Sequence, residues 1–176
     1  MSSLNGNDST GLKGQKVLEQ ILGDKYQECE PVVGDGIFLG NNCSFVYEVK
    51  TTEAQSTSNV SLNQVRAIKC IALIVYFKTL QKWAVLSPIE VLEFAIEKNR
   101  GQHNEISLEC AAISTSKIPE QNYCTEEELI YKLEEISFIF YSDKYKRVKI
   151  FCDSFLDNLQ SLNDLSKKTI EAMVKS

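Results

Sequence analysis

Hydrophobic and polar residues recur with two periods along this chain, which predicts a mixture of helices and strands. Apolar residues at helical spacing between Val17 and Leu22 predict a first helix over about residues 13–25. Runs of apolar and β-branched residues predict strands over residues 32–39, 43–51, 71–78, 82–86 and 106–114. The second of these strands is expected to run antiparallel to the first.

Capping signals place the other helices. Ser61 is a good N-cap before Leu62 and predicts a second helix over residues 61–70. Pro88 at a first helical position predicts a helix to about residue 98. Thr125 and Glu128 have the spacing of a capping box and predict a helix to about residue 135. Residues 137–141 and 147–152 fit a β-hairpin, or a strand followed by a helix start, and residues 153–174 read as helical.

Together these elements predict an α/β fold with a mixed central sheet flanked by helices. The chain of 176 residues is long enough to bury a core as one domain, and no internal repeat is visible. Residues 1–11 are polar and are expected to be disordered or loosely attached. Residues 12–176 are expected to form the single domain.

Composition narrows the class of protein. The formal net charge of −5 excludes a wholly basic nucleic-acid-binding surface but is compatible with a local basic patch. The longest apolar run, residues 71–77, is too short to span a membrane. The six cysteines include no C-x-x-C pair, and with the single His103 they make a structural zinc site improbable. Reduced thiols in a cytoplasmic protein are the expectation.

Candidate chemistry concentrates in the second strand. Side chains alternate between faces of a strand, so Glu48 and Lys50 are expected on one face, opposite Tyr47 and Val49. Asp35 precedes them across a hairpin turn at residues 40–42. Two acids and a lysine can therefore meet at one place, which is what metal-dependent cleavage of a phosphodiester requires. The alternative is an exposed ion pair between Glu48 and Lys50 with no catalytic role.

The order of helix, strand with Asp35, strand with Glu48-Val49-Lys50, helix and strand resembles the PD-(D/E)xK nuclease superfamily. The resemblance covers about residues 13–86 and is greatest to small type II restriction endonucleases. It implies a restriction-endonuclease-like mixed sheet, with residues 87–176 supplying dimerisation and sequence recognition. One departure is Gly34, which occupies the place of the motif's proline.

The resemblance implies Mg²⁺, with Mn²⁺ as a substitute, held by Asp35, Glu48 and the Val49 carbonyl, while Lys50 acts on water or phosphate. Glu19 corresponds to a glutamate that some members carry on the first helix; a solvated helix face is the alternative. Gln64 and Arg66 resemble a glutamine position near the site in several branches. Gln64 is expected at a helix N-terminus, where it could reach phosphate or water; a plain polar helix start is the alternative.

The function expected from this resemblance is a Mg²⁺-dependent endonuclease on double-stranded DNA, a sequence-specific homodimer of the type II restriction class. The alternatives are a structure-selective or toxin-type nuclease on the same fold, and a non-catalytic binding or immunity module with a nuclease-like core. A further basic cluster could contact phosphates or form a solvated turn, and it comprises Lys144, Lys146, Arg147 and Lys149. Trp83 is expected in the core and His103 in solvent.

Overall fold

The computed structural model describes residues 6–97, 111–156 and 167–176. Its helices are α1 (Gly6–Leu22), α2 (Pro88–Glu97), α3 (Glu126–Ser137), α4 (Asp143–Leu156) and α5 (Lys167–Lys175). Its strands are β1 (Tyr26–Gln27), β2 (Gly36–Leu39), β3 (Ser44–Thr52), β4 (Ser61–Val65), β5 (Ala72–Phe77), β6 (Lys82–Leu86), β7 (Ala111–Ser114) and β8 (Tyr123–Cys124). Short 3₁₀ turns include Gly23–Lys25, Ala67–Lys69 and Phe138–Tyr141.

Six strands form a mixed central sheet in the order β1-β2-β3-β5-β6-β8, and β4 pairs with β7 in a second, two-stranded sheet. β2 runs antiparallel to β3, whereas β5 runs parallel to β3 and antiparallel to β6. Parallel neighbours need a crossover connection. Residues 53–71 make that crossover and carry β4 and the 3₁₀ turn Ala67–Lys69.

Both faces of the central sheet are covered, and the apolar side chains divide into two clusters. One cluster, here called the α1 face, joins Phe45, Tyr47 and Val49 of β3 to Leu18 and Leu22 of α1 and Leu129 and Leu133 of α3. The other, the α2 face, joins Leu73, Val75 and Phe77 of β5 to Val91 and Leu92 of α2 and Val148 and Cys152 of α4. The helices on both faces bury apolar surface against the sheet, and its central strand β5 is buried along its whole length.

The register of the parallel pair decides where the charged residues of β3 point. Glu48 is opposite Leu73 and Lys50 is opposite Val75. Residues directly opposite each other share a face of the sheet, so Glu48 and Lys50 project toward the α2 face. The predicted alternation of β3 is therefore confirmed.

Several predicted elements are confirmed. β3, β5 and β6 occupy the predicted strand segments within one residue, and α2 begins at Pro88 as expected. The Glu128 carboxylate accepts a 2.9 Å hydrogen bond from the Thr125 N–H, which completes the predicted capping box at α3. Trp83 is 1% exposed and stacks on Tyr76, as expected of a core residue.

The predicted helix over residues 61–70 is wrong, because that segment forms β4 and the 3₁₀ turn Ala67–Lys69. Leu62 and Val65 are three residues apart, which imitates helical spacing. The pairing with β7 shifts register between them, and this irregularity lets both side chains be buried. Gln64 and Cys70 adopt left-handed backbone with φ of 56°, which a helix does not allow.

The β-hairpin considered for residues 137–152 is also wrong, because the 3₁₀ turn Phe138–Tyr141 leads into α4. The Ser142 hydroxyl accepts a 3.1 Å hydrogen bond from the Tyr145 N–H, which is the contact of an N-cap residue. The basic cluster of residues 144–149 therefore lies on a helix, so the predicted solvated turn is wrong, while contact of these side chains with phosphates stays a prediction.

Two boundaries near the N-terminus also differ from prediction. α1 begins at Gly6 rather than near residue 13. β2 begins at Gly36 rather than at residue 32, because the Glu30 carbonyl accepts hydrogen bonds from the N–H groups of Val33 and Gly34 and closes a turn. His103, which is expected in solvent, and the start of the predicted strand at residues 106–114 lie outside the described residues.

The cysteines that the structure describes are free thiols: Cys29, Cys43, Cys70, Cys124 and Cys152. Cys70 and Cys152 are buried together on the α2 face, and a hydrogen bond between them raises the pKa of Cys70 and lowers that of Cys152. Among the described residues, no helix combines the length and apolar character that crossing a membrane would require.

The central position of β5 gives a first testable prediction. Leu73 is 1% exposed, and we expect Leu73→Ala to lower the free energy of unfolding by about 2–5 kcal/mol through the cavity it leaves. Leu80→Ala is the control, since Leu80 is 37% exposed and should change stability by less than about 0.5 kcal/mol. Urea denaturation measures both, and equal effects would contradict the described packing.

Candidate active site

Glu48 and Lys50 form a nearly enclosed ion pair on β3. The Glu48 side chain is 5% exposed and its Oε1 lies 2.9 Å from Lys50 Nζ, whereas the Lys50 side chain is 23% exposed. The pair is therefore not the exposed one considered as the alternative to a site. A buried carboxylate is costly unless it is paired, so its surroundings must supply compensating groups.

Asp35 is anchored on the peptide that follows Glu48. The Asp35 N–H donates to the Tyr47 carbonyl at 2.9 Å, and the Asp35 Oδ2 accepts from the Val49 N–H at 2.7 Å. Asp35 lies just before β2 begins, so its side chain replaces the backbone partner that a longer β2 would provide. The structure thus brings Asp35 to the Glu48-Val49-Lys50 segment, as the sequence predicted.

Gly34 occupies a place where β3 leaves no room for a side chain. A Cβ atom at this position would meet the Val46 side chain and would lie 2.9 Å from the Tyr47 carbonyl oxygen. The backbone of β3 therefore lies directly against Gly34, and any side chain there would push Asp35 away from β3. The glycine preserves the approach that places Asp35.

Arg66 supplies the remaining contacts to Glu48. Its backbone N–H donates to Glu48 Oε2 at 3.2 Å, and its Nε lies 3.7 Å from Glu48 Oε1. Its Nη1 donates to the Pro31 carbonyl at 3.3 Å, so the same side chain reaches the turn before Asp35. Two cations and two carboxylates therefore share this place, and their charges balance.

Cys29 also belongs to the site. Burial, and then the negative charge of Asp35, raises the pKa of the Cys29 thiol, while Arg66 acts in the opposite direction. The thiol therefore interacts electrostatically with both charged groups. Cys29 carried no signal as a site residue in the sequence, because the turn before β2 rather than any spacing brings it here. Arg66 was considered only beside Gln64 at a helix start that does not form, and it is the crossover that brings Arg66 to Glu48.

Glu19 does not join Glu48, because α1 packs on the opposite face of the sheet. It hydrogen-bonds Tyr26, and its charge contributes after burial to raising the pKa of Tyr26 and of Tyr47. Gly36 permits this arrangement, since a Cβ there would lie 2.6 Å from the Tyr47 ring. Glu19 is therefore neither fully solvated nor in contact with the ion pair.

Gln64 lies on β4 with an exposed side chain. The helix N-terminus on which its predicted phosphate contact depended is absent, because no helix forms over residues 61–70. That reason for including Gln64 is wrong. The α4 cluster is exposed at Lys146 and Arg147, and Lys149 is paired with Asp153.

Asp35, Glu48 and the Val49 carbonyl offer oxygen atoms, which are the type of ligand that hard divalent cations take. The N–H and C=O of one strand residue point toward the same neighbour, so the Val49 carbonyl points to the edge where Asp35 lies. Among the described residues, no three His, Cys, Asp or Glu side chains are gathered to hold a metal ion. A Mg²⁺ ion would therefore depend on two carboxylates, this carbonyl, water and substrate, which is a usual set for Mg²⁺.

Comparison of the chain with protein-family models, with curated proteins and with solved structures gave no match.

The ion pair gives a prediction that separates a functional from a structural role. Lys50→Met should destabilise the fold by about 1–3 kcal/mol, because Glu48 keeps only Arg66 as a cationic partner. Replacing both residues, as Glu48→Leu with Lys50→Met, should restore or exceed the original stability, since apolar side chains avoid desolvation. Urea denaturation tests this, and a double variant as unstable as the single would show that the pair is needed for folding.

The raised pKa of Tyr47 predicts that the folded protein loses stability at alkaline pH. Burial is the largest cause of its raised pKa, so the phenol stays neutral in the folded protein above pH about 10, where it ionises in the unfolded chain. Its stabilising contribution is therefore complete below pH 10 and is lost as pH rises further. Tyr47→Phe should reduce the alkaline slope of the unfolding free energy, while Tyr131→Phe, at a 74% exposed position, should leave it unchanged.

Proposed function

We propose that this protein is a metal-dependent endonuclease that hydrolyses DNA phosphodiester bonds. The observation that carries the proposal is the anchoring of Asp35 on the Val49 N–H, beside the enclosed pair of Glu48 and Lys50. The mixed central sheet flanked by helices supports it, because a sheet of this kind is what the resemblance to PD-(D/E)xK nucleases implies.

Each group has a role in this chemistry. Asp35, Glu48 and the Val49 carbonyl would hold Mg²⁺, or Mn²⁺ in its place, and the bound ion would neutralise phosphate charge and acidify a water. Lys50 lies close enough to Glu48 to position that water or to donate to the phosphoryl oxygens. Arg66 adds a second positive charge on the same side, where charge develops in the transition state.

The finer form of the proposal is a sequence-specific homodimer of the type II restriction class. Two-fold symmetric recognition sites need two cutting centres, so a dimer follows from that form. Residues 87–176 would then provide the dimer contact and base recognition. A structure-selective or toxin-type nuclease on the same fold is the alternative within the same chemistry.

A second candidate function is a non-catalytic binding or immunity module with a nuclease-like core. The observation that favours it is that the Glu48 carboxylate is already satisfied by Lys50 and by both the N–H and the guanidinium of Arg66. A net charge of −5 suits a protein that covers a basic partner.

Plasmid cleavage tests the proposal. Purified protein should cut supercoiled plasmid with Mg²⁺ and leave it intact with EDTA. Asp35→Asn, Glu48→Gln and Lys50→Met should each lower the cleavage rate by at least about 100-fold, because each removes a group that acts in the transition state. Discrete fragments would support the restriction form, and a smear a less specific nuclease.

Glu53 and Lys78 provide the matched control. They form an ion pair with the same 2.9 Å separation, but their side chains are 59% and 40% exposed. Glu53→Gln and Lys78→Met should leave cleavage unchanged. Plasmid that stays intact with folded wild-type protein and Mg²⁺ or Mn²⁺ would reject the nuclease and leave the binding module.

A further inference from the structure

The turn immediately before Asp35 presents two exposed apolar side chains beside the candidate site. Val32 and Val33 are 69% and 43% exposed. The turn is nevertheless held firmly, since the Glu30 carbonyl accepts the Val33 N–H at 2.8 Å, and Arg66 Nη1 and Lys69 Nζ donate to the carbonyls of Pro31 and Val32. Two apolar groups in water on a tethered turn point to a binding role.

These valines border a cavity of about 400 Å³. Its apolar wall includes Phe45, Val46 and Ile71, and its basic residues are Lys69 and Lys149. A volume of this size lies within the range of small-ligand sites, which combine apolar walls with a few polar groups.

The cavity adjoins the ion pair on the same face of the sheet. Val46 and Glu48 are two residues apart on β3, so they share a face and their Cα atoms are about 7 Å apart. Arg66 links the two places, because it contacts Glu48 and also holds the turn that carries the valines. The cavity therefore neighbours the Asp35–Glu48 site and is joined to it through β3 and through Arg66.

We propose that this cavity binds an unpaired nucleobase of a DNA strand whose phosphate lies at the Asp35–Glu48 site. The proposal rests on the proposed function and names its substrate class. The apolar wall and the two valines suit the flat faces of a base. An unpaired base enters such a pocket more readily than a paired one, so the enzyme prefers mismatched, bulged or single-stranded DNA to perfect duplex.

A protein partner or a second copy of the chain suits this surface less well. Stable interfaces bury roughly 800 Å² on each partner. Two valines at the rim of a cavity offer much less flat apolar surface than that. The cavity therefore favours the structure-selective form of the proposed nuclease.

The test compares two duplexes that differ only in whether one 2-aminopurine is paired or bulged. Binding is measured by anisotropy and fluorescence with Ca²⁺ in place of Mg²⁺, so that affinity is measured apart from hydrolysis. We expect the bulged duplex to bind about tenfold more tightly, with a change in fluorescence as the base leaves its stack.

Variants of the cavity test whether it causes the preference for the bulged duplex. The double variant Val32→Asn with Val33→Asn removes the apolar rim without adding charge, and Ser44→Phe fills the cavity from an exposed position. Both variants should make the affinity for the bulged duplex equal to that for the paired duplex. Leu80→Asn is the matched control, because Leu80 is an exposed apolar residue on another turn, and it should keep the preference.

Equal affinities for the two duplexes, or a preference that survives both variants, would overturn the inference. If the protein cleaves plasmid but binds the paired and the bulged duplex equally well, the base-binding cavity is rejected and the proposed nuclease is not. Failure to bind or cut any DNA would reject both proposals. A dimer that the double valine variant converts to a monomer in sedimentation would show that this surface contacts protein instead.

Discussion

The buried carboxylate of Glu48 sets the constraint on which the rest of this site depends. A charge with so little access to water needs partners, and the structure supplies Lys50 from the same strand and Arg66 from the crossover. Arg66 then reaches the turn before β2 and helps hold it beside Asp35. The Glu48 carboxylate therefore connects three chain segments, directly or through Arg66: β3, the crossover and the turn before β2.

The sequence predicted the strand that carries the site, and it did so because β3 has a clear two-residue period with charges on one face. It also predicted the neighbouring β5 and β6, which are apolar and bounded by polar residues. It failed at β4, because an irregular pairing gave buried residues a helical spacing. At α4 it left a β-hairpin and a helix start open, and the helix begins earlier than expected because the Ser142 hydroxyl caps it.

The candidate site was predictable in part for the same reasons. Asp35, Glu48 and Lys50 lie close together in sequence, so alternation and one hairpin place them. Arg66 depends on a long connection whose path no local pattern reveals. The position of Glu19 relative to the site was not predictable either. Periodicity placed Glu19 on a helix but could not tell which face of the sheet that helix covers.

The parallel pairing of β3 with β5 has a consequence for the chain before it finishes folding. The β2–β3 hairpin closes from neighbours in sequence, whereas β5 and Arg66 return only after a long loop, which is slower to form. Until then β3 is an open edge strand. Inward-pointing charges on an edge strand oppose its pairing with strands of other molecules. Glu48 and Lys50 are such charges, so we expect them to limit aggregation while the sheet is incomplete.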